Sequence, residues 1–457
     1  MGIDVAVGAT VCPSWLLAFA INQGSRARDD GEFDVLPGTE DPVRSGALPE
    51  AIRAKVPISV MQQDRSTPGR PLRLVYLVTE DWYFCSHRLP MARAARDSGF
   101  EVHVATRVAD HGPAIEAEGF HLHPLSWTRR DGGWASLRTL RDIISLYRRV
   151  RPALVHHVSL RPVVFGAAAA RWAGVPAQVN ALTGLGFVFT ARSAHARLLR
   201  TGLRPLLRFL IDHPRSCVVL QNSDDLAYLV DNGIVARTRA RLVRGSGVEI
   251  GHFQRLPEPD QEPITCAAVT RMLTIKGIQI AVEAIRLLRQ RGIDMRLILA
   301  GTPDPLSPAS LKPWQLTRWA REPGIVWLGH VDDVREVWSK AHIAVLPSLG
   351  GEGIPKSLLE AAACGRPIVA SDVPGCREIV RPGINGELVA PGDAEALAQA
   401  LASLARDPER RRGYAAAGRR LVESDLSAED VGHRIVAVYR EMASRPSASV
   451  TAVRHVR

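Results

Sequence analysis

The sequence predicts an α/β protein built from two doubly wound parallel-sheet domains. Three observations carry this. Apolar strand-like runs alternate with helical stretches throughout the chain from Leu72 onward. A length of 457 residues, 46% hydrophobic and 23% charged, suits two or three globular domains with ample core. The stretch Glu249–Pro263, with three prolines and several acids, cuts the alternation in two and reads as a linker.

Strands of the first domain are expected near Leu72–Thr79, Glu101–Thr106, Leu154–Val158, Ala177–Asn180, Cys217–Gln221 and Leu242–Arg244. Those of the second are expected near Ile264–Thr270, Met295–Ala300, Ile325–Leu328, Ile343–Leu346 and Ile368–Ser371. The expected boundaries are 71–248 for the first domain and 264–425 for the second, with residues 426–457 forming a C-terminal helix and tail. Residues 1–70 are rich in Gly, Pro, Arg and Asp after an apolar run, Val5–Ile21, that Pro13 interrupts. They are expected to be a poorly structured extension, either a real tail or the product of a start codon placed too far upstream.

The most informative stretch is Gly-Glu-Gly-Ile-Pro-Lys-Ser-Leu-Leu-Glu-Ala-Ala-Ala-Cys, residues 351–364. A strand ending near Pro347 runs into it. Pro355 suits the first position of a helix and Gly365 its C-terminal cap. Glu352 then lies in the loop and Glu360 about a turn and a half into the helix, flanking the free N–H groups near residues 354–357. Such N–H groups suit a diphosphate, and the two carboxylates suit sugar and ribose hydroxyls. Gly353, Ile354, Pro355 and Lys356 line the same loop. The second piece is Arg271-x4-Lys276, between a strand and the next helix, at the sheet edge where open α/β folds bind ligands. Of five lysines in the chain, two, Lys276 and Lys356, fall in these loops. A compact ammonium suits a phosphate oxygen.

Arg-x4-Lys followed by Glu-x7-Glu resembles the retaining family 4 glycosyltransferases, glycosyl transferases group 1, of the GT-B fold, with its two Rossmann-like domains facing across a cleft. The stretches Trp327-Leu-Gly-His-Val-Asp-Asp333 and Ser371-Asp-Val-Pro-Gly-Cys-Arg-Glu378 share the likeness. In the first half, Glu80-Asp-Trp-Tyr-Phe-Cys-Ser-His-Arg-Leu-Pro90, Asn180-Ala-Leu-Thr-Gly-Leu-Gly-Phe187, Gln221-Asn-Ser-Asp-Asp225 and Gly245-Ser-Gly-Val248 resemble members that extend polyprenyl-diphosphate-linked saccharides with N-acetylhexosamine-type sugars. The resemblance implies a hexosyltransferase using a UDP-sugar donor and a lipid-linked saccharide acceptor. It implies that Arg271 and Lys276 hold the leaving diphosphate, Glu352 the donor sugar, Glu360 the ribose, and the backbone at His330–Val331 the base. It implies that the helix near Glu429–Met442 packs back on the first domain.

Other candidates follow from position. His87 and Arg88 follow the first strand and face the cleft, where they could meet the acceptor. His157, or its neighbour His156, ends a strand at the same edge, where relatives often place a histidine against the donor sugar. Gly184 and Gly186 would allow close backbone approach in an acceptor loop. With two side-chain cations at the diphosphate, neither a metal nor another cofactor is expected, and Asp332-Asp333 reads as helix capping. The absence of G-x-G-x-x-G after the first strand and of any G-x-x-x-x-G-K-[ST] argues against dinucleotide and P-loop enzymes.

The net charge of +11 clusters. Trp127–Arg151 carries seven arginines, and Phe187–Arg215 carries six among apolar residues, which reads as a docking face for anionic lipid. The competing reading is solvated helices packed on the sheet. No nucleic-acid-binding signature is present. Six cysteines without C-x-x-C pairing point to reduced thiols. The expected location is therefore cytoplasmic, peripheral on the inner face of the plasma membrane. Alternatives are the same fold acting on a soluble acceptor, a nucleotide-sugar epimerase, and a nucleotide-sugar-binding protein without turnover.

Overall fold

A computed structural model of the chain describes residues 71–127, 133–184 and 194–445. The extension 1–70, Gly186 and the tail beyond residue 445 lie outside the described residues, as do parts of both arginine-rich stretches.

The first domain runs β1 Leu72–Glu80, α1 Asp81–His87, α2 Leu89–Asp97, β2 Phe100–Arg107, α3 Gly112–Ala117, β3 His121–Pro124, α4 Gly133–Val150, β4 Leu154–Val158, α5 Leu160–Ala173, β5 Ala177–Leu182, α6 Ala194–Ile211, β6 Ser216–Leu220, α7 Ser223–Asp231 and β7 Ala240–Leu242. Its strands form one parallel sheet in the order β3-β2-β1-β4-β5-β6-β7. The chain starts in the middle, winds out to one edge, and returns to wind out to the other. The period-2 alternation of β1 shows why both faces are covered. Leu74, Tyr76 and Val78 enter one core, and Val75 and Leu77 enter the other.

The second domain repeats the plan. It runs β8 Ile264–Val269, α8 Ile278–Gln290, β9 Met295–Ala300, α9 Pro313–Trp319, β10 Ile325–Gly329, α10 Arg335–Trp338, β11 Ile343–Leu346, α11 Lys356–Ala363, β12 Ile368–Ser371, α12 Pro374–Arg377, β13 Gly386–Val389, α13 Ala394–Arg406 and α14 Pro408–Asp425. The parallel order is β10-β9-β8-β11-β12-β13. Helix α8 shows the local logic. Ile278, Ala281, Val282, Ile285 and Leu288 recur at helical spacing and are buried, and the helix stops before Gly292 at φ 72°.

The last described helix, α15 Ala428–Ser444, leaves the second domain and lies on the first. The Ser427 side chain caps it by accepting from the Asp430 N–H. Val431, Ile435, Tyr439 and Met442 then join the core of β1, and the Tyr439 and Tyr76 hydroxyls meet at 2.7 Å.

Three elements differ from the sequence expectation. β7 lies at Ala240–Leu242, ahead of the expected 242–244, and the edge strands β3 and β13 are additions. β3 reads His-Leu-His-Pro and is half exposed, so it lacks the apolar run that marks a central strand. Pro355 is the N-cap of α11, with ψ 119°, rather than its first helical residue.

Candidate active site

The carboxyl ends of the two sheets face each other. From the second domain, β8 ends at Val269 and its loop carries Arg271 and Lys276. Gly277 follows at φ 69°, and a Cβ there would sit 1.8 Å from the Pro347 carbonyl oxygen. Glycine is therefore what lets the Lys276 loop lie on the end of β11. From β11 the chain continues through Ser348, Gly350 at φ 137° and Gly351 at φ 73° into Glu352.

These two loops bring Lys276 and Glu352 together. The Lys276 ammonium donates to both carboxylate oxygens, at 2.6 and 2.8 Å, and the Ser348 hydroxyl donates to Oε1 at 2.5 Å. Glu352 is buried. Arg271 is nearly half exposed and donates to Asp304, in the loop after β9, at 2.9 Å. Glu360 lies inside α11, buried, and Lys356 one turn earlier stands 3.6 Å from it. Burial pushes the Glu360 carboxyl up to about 7, and Lys356 only partly offsets this.

Lys356 also reaches across the cleft and donates to the Ser86 carbonyl oxygen at 2.6 Å. Behind that bond lies His87, stacked on Tyr83 with ring centroids 4.2 Å apart. Burial, followed by the positive charges of Lys356, Arg88 and Arg271, holds the His87 imidazole down at about 3, so it is neutral. Its Nδ1 has no partner among the described residues.

The two domains touch through glycines. A Cβ on Gly353 would meet Gln221 Oε1 at 2.1 Å and the Thr183 carbonyl at 2.3 Å. One on Gly184, at φ 138°, would meet the Gly351 carbonyl at 2.9 Å. Around this contact Glu378 accepts from the Ser223 N–H and hydroxyl, at 2.7 and 2.8 Å, and from Arg244 at 2.8 Å. Gly353, Ile354 and Pro355 are buried at the seam, and Val331 is half buried against the core of the second domain.

Three sequence candidates are placed elsewhere. His157 is fully buried, its Nδ1 bonded to Asn180 at 2.7 Å and its Nε2 to Tyr147 at 3.1 Å. Both ring nitrogens are thus used inside the domain, and the structure does not bring His157 to the cleft. His156 is also fully buried and bonds Tyr439 of α15 at 2.5 Å. Arg88 is 2% exposed, with Nη1 on the Met91 sulfur and the guanidinium inside the domain. Alternation explains the two histidines, whereas Arg88 is drawn inward at the junction of α1 and α2. Successive residues of a strand fed to two cores are both covered, which a strand-end position in sequence does not reveal. Residues the sequence reading did not single out are Ser348, Asp304, Gln221 and Glu378. Gln221 and Glu378 lay inside recognised stretches, whereas Asp304 had no signal beyond following a strand.

Among the described residues, Glu101, His103 and His121 form the group able to hold a metal ion. They sit on β2 and β3 and outside this cleft. Asp333 bonds Arg335 in the first turn of α10.

Comparison with known proteins agrees with this architecture. The family described as "Glycosyl transferases group 1" matches residues 263–407, and "Glycosyl transferase 4-like" matches residues 73–215. Two glycosyltransferase families thus match the two domains, one each. It is similar to the N,N'-diacetylbacillosaminyl-diphospho-undecaprenol alpha-1,3-N-acetylgalactosaminyltransferase of Campylobacter jejuni, 22% identical over 72% of this chain and 88% of the relative. It is also similar to the capsular polysaccharide biosynthesis glycosyltransferase CapM of Staphylococcus aureus, 21% identical over 80% of this chain and 96% of the relative. Among solved structures, Anabaena HepE in complex with UDP and glucose superposes with a TM-score of 0.66 at 16% identity, covering 81% of this chain and 99% of that one. Sucrose-phosphate synthase of Thermosynechococcus elongatus does so at 0.67 and 19% identity, over 81% and 99%. These likenesses show the GT-B fold, and with the family match they make the chain a glycosyltransferase.

Proposed function

We propose that the chain is a retaining glycosyltransferase that moves an N-acetylhexosamine-type sugar from a UDP-sugar to a polyprenyl-diphosphate-linked saccharide during cell-surface glycan assembly. The observation that carries the reading is the Lys276–Glu352 pair, made by the loop that also carries Arg271 and the loop that leads into α11. A diphosphate entering there meets Lys276, Arg271 and the helix N-terminus, and a sugar meets Glu352. The names of the Campylobacter and Staphylococcus relatives support a lipid-linked or capsular acceptor.

In this reading the anomeric C–O bond breaks toward the diphosphate, and the charge that develops on the leaving oxygen falls on preorganised cations. Glu352, already held by Ser348, orients the donor sugar. The acceptor hydroxyl attacks from the face the diphosphate leaves, and its proton passes to a departing phosphate oxygen. Bond order and charge balance without a protein nucleophile, and His157 takes no part because its nitrogens are committed. A glycosyl-enzyme adduct in intact mass spectra of Glu352→Gln would refute this route.

Membrane docking is read from the described part of the arginine-rich stretches. Leu203, Leu207, Leu210 and Ile211 of α6 are spent on the core. Among the described residues, the exposed aromatics there are Trp172 at 74% and Phe209 at 63%, with exposed Arg171 and Arg208 next to them in sequence and Arg171 over the Phe209 ring at 4.4 Å. No helix among the described residues is long and apolar enough to cross a membrane. Exposed aromatics with arginine neighbours suit an anionic lipid surface.

The test is nucleoside diphosphate release from UDP-, GDP- and ADP-sugars, with and without lipid-linked acceptor. Lipid-dependent release with one UDP-sugar is expected. Release only with soluble acceptors would move the enzyme off the membrane.

A further inference from the structure

On the far side of the second domain lies a cavity of about 260 Å³. Linker residues Arg255–Glu258 form one wall. The turn Gly365-Arg366-Pro367, between α11 and β12, forms a second, and Arg411 and Arg412 of α14 a third. His342 lies at its floor, directly before β11. Arg366 likewise precedes β12, and the two strands are parallel. The cavity is therefore at the amino-terminal edge of the sheet, opposite the edge that carries Glu352.

Four arginines and a single glutamate line it. Arg411 is satisfied by Glu258 at 2.5 Å and by the carbonyls of Leu404 and Ala405 at 2.7 and 2.8 Å. Arg366 is 1% exposed and gives one bond, from Nη2 to the Pro257 carbonyl at 2.6 Å. Its Nε is buried with no partner among the described residues. Arg255 and Arg412 stand exposed at the rim, and neither side chain has a hydrogen bond or ion pair with another described residue. An arginine buried without a carboxylate is costly, and here burial lowers its guanidinium to about 10. Glu258 accepts its hydrogen bond from Arg411 and offers Arg366 only a through-space counter-charge, which burial outweighs.

We infer that this cavity is a second ligand site, for a small phosphate-type oxyanion carrying at least two negative charges and free in solution. Guanidinium forks match phosphate oxygens in pairs. Arg366 sets a positive charge in the wall behind the anion, and Arg255 and Arg412 close over it from the rim. Leu256, Pro257, Pro367 and Ala415 leave an apolar part of the wall for an organic group attached to the phosphate. The site is concave, so a soluble ion fits it and a flat lipid surface does not. Because Arg255 belongs to the segment joining the domains, a bound anion ties that segment to α14. This inference does not depend on which sugar donor the cleft takes.

The test titrates the untagged full chain with inorganic phosphate and with pyrophosphate by calorimetry, in the presence and absence of saturating UDP. Arg255→Gln/Arg412→Gln changes two exposed side chains, and an unaltered thermal transition verifies its fold. One pyrophosphate site per chain is expected to persist under UDP and to weaken at least tenfold in the double variant. Equal affinity in the double variant would mark an adventitious ion only and overturn the site. Absence of pyrophosphate binding to the wild type would overturn it as well, as would capture by phosphatidylglycerol vesicles without pyrophosphate binding. If UDP itself does not bind, the donor reading fails separately, and the double variant still decides this one.

Discussion

Removing the Glu352 charge should tighten the binding of free UDP while abolishing turnover. Lys276 gives two of its three N–H donors to Glu352, at 2.6 and 2.8 Å. A diphosphate must compete for that ammonium. A hydrogen bond to a charged partner contributes about 1.5–3 kcal/mol, and Glu352→Gln keeps an amide oxygen that still accepts one bond. Roughly 1 kcal/mol of competition is then relieved, equivalent to about a fivefold lower Kd for UDP. UDP carries no sugar for residue 352 to hold, so nothing offsets this gain. Turnover should fall by about 10²–10³-fold, the usual cost of a lost electrostatic contact in the transition state. Calorimetric titration with UDP checks the first figure, and steady-state diphosphate release checks the second. An unchanged or weaker UDP Kd in Glu352→Gln would mean that Lys276 does not reach the diphosphate, and the site assignment would fall with it.

The other predictions concern groups around the cleft. Glu360 has a folded-state value of about 7 against an ordinary 4.5, so its contribution to stability is full below pH 4.5 and is lost as pH rises through 7; Glu360→Gln should flatten that decline in thermal melts between pH 5 and 8. His157→Phe breaks the bonds to Asn180 and Tyr147 inside the first domain, and should lower stability by about 2 kcal/mol with kcat changed less than about threefold, read by urea titration and donor turnover. Glu378→Ala removes the bonds to Ser223 and leaves Arg244 with Asp425 alone across the seam, and should raise the radius of gyration in solution scattering of the protein without donor. Trp172→Asp/Phe209→Asp should reduce co-sedimentation with phosphatidylglycerol vesicles, while turnover on a detergent-dispersed acceptor stays unchanged.

The fold was largely legible because central parallel strands announce themselves. Ile343–Leu346 and Met295–Ala300 are apolar on both faces and bounded by loops, and both lie where the sequence places them. Edge strands lack that signature. β3 alternates histidine with Leu and Pro, and β13 is four residues with Gly and Glu, so each is defined by its neighbour rather than by its own composition. In the cleft, Arg271, Lys276, Glu352 and Glu360 could be placed because each sits at a fixed offset from a strand end or helix start. His156 and His157 could not, because facing one core or the other depends on which helices cover the sheet. The Tyr439 hydroxyl that meets His156 comes from 283 residues away.

The glycines argue that the observed closeness of the two domains is designed into the sequence rather than incidental. Gly353 admits Gln221 and the Thr183 carbonyl from the other domain, and Gly184 admits the Gly351 carbonyl in return. Gly375, within α12, lies so close to the Gly353 carbonyl that any side chain would displace the loop. Glu352 hangs between Gly351 and Gly353, so the same residues that let the domains meet also fix the carboxylate's backbone. Enlarging one of them tests the linkage. Gly184→Ala adds one methyl group at φ 138°, on the first domain, far in sequence from Glu352. Because that methyl group would press on the Gly351 carbonyl, turnover should fall at least tenfold through a displaced Glu352, while UDP binding to Lys276 and Arg271 changes little. If UDP binding and turnover fell together, the damage would lie in the fold of the donor loop itself, and the closed seam would not be what positions the carboxylate.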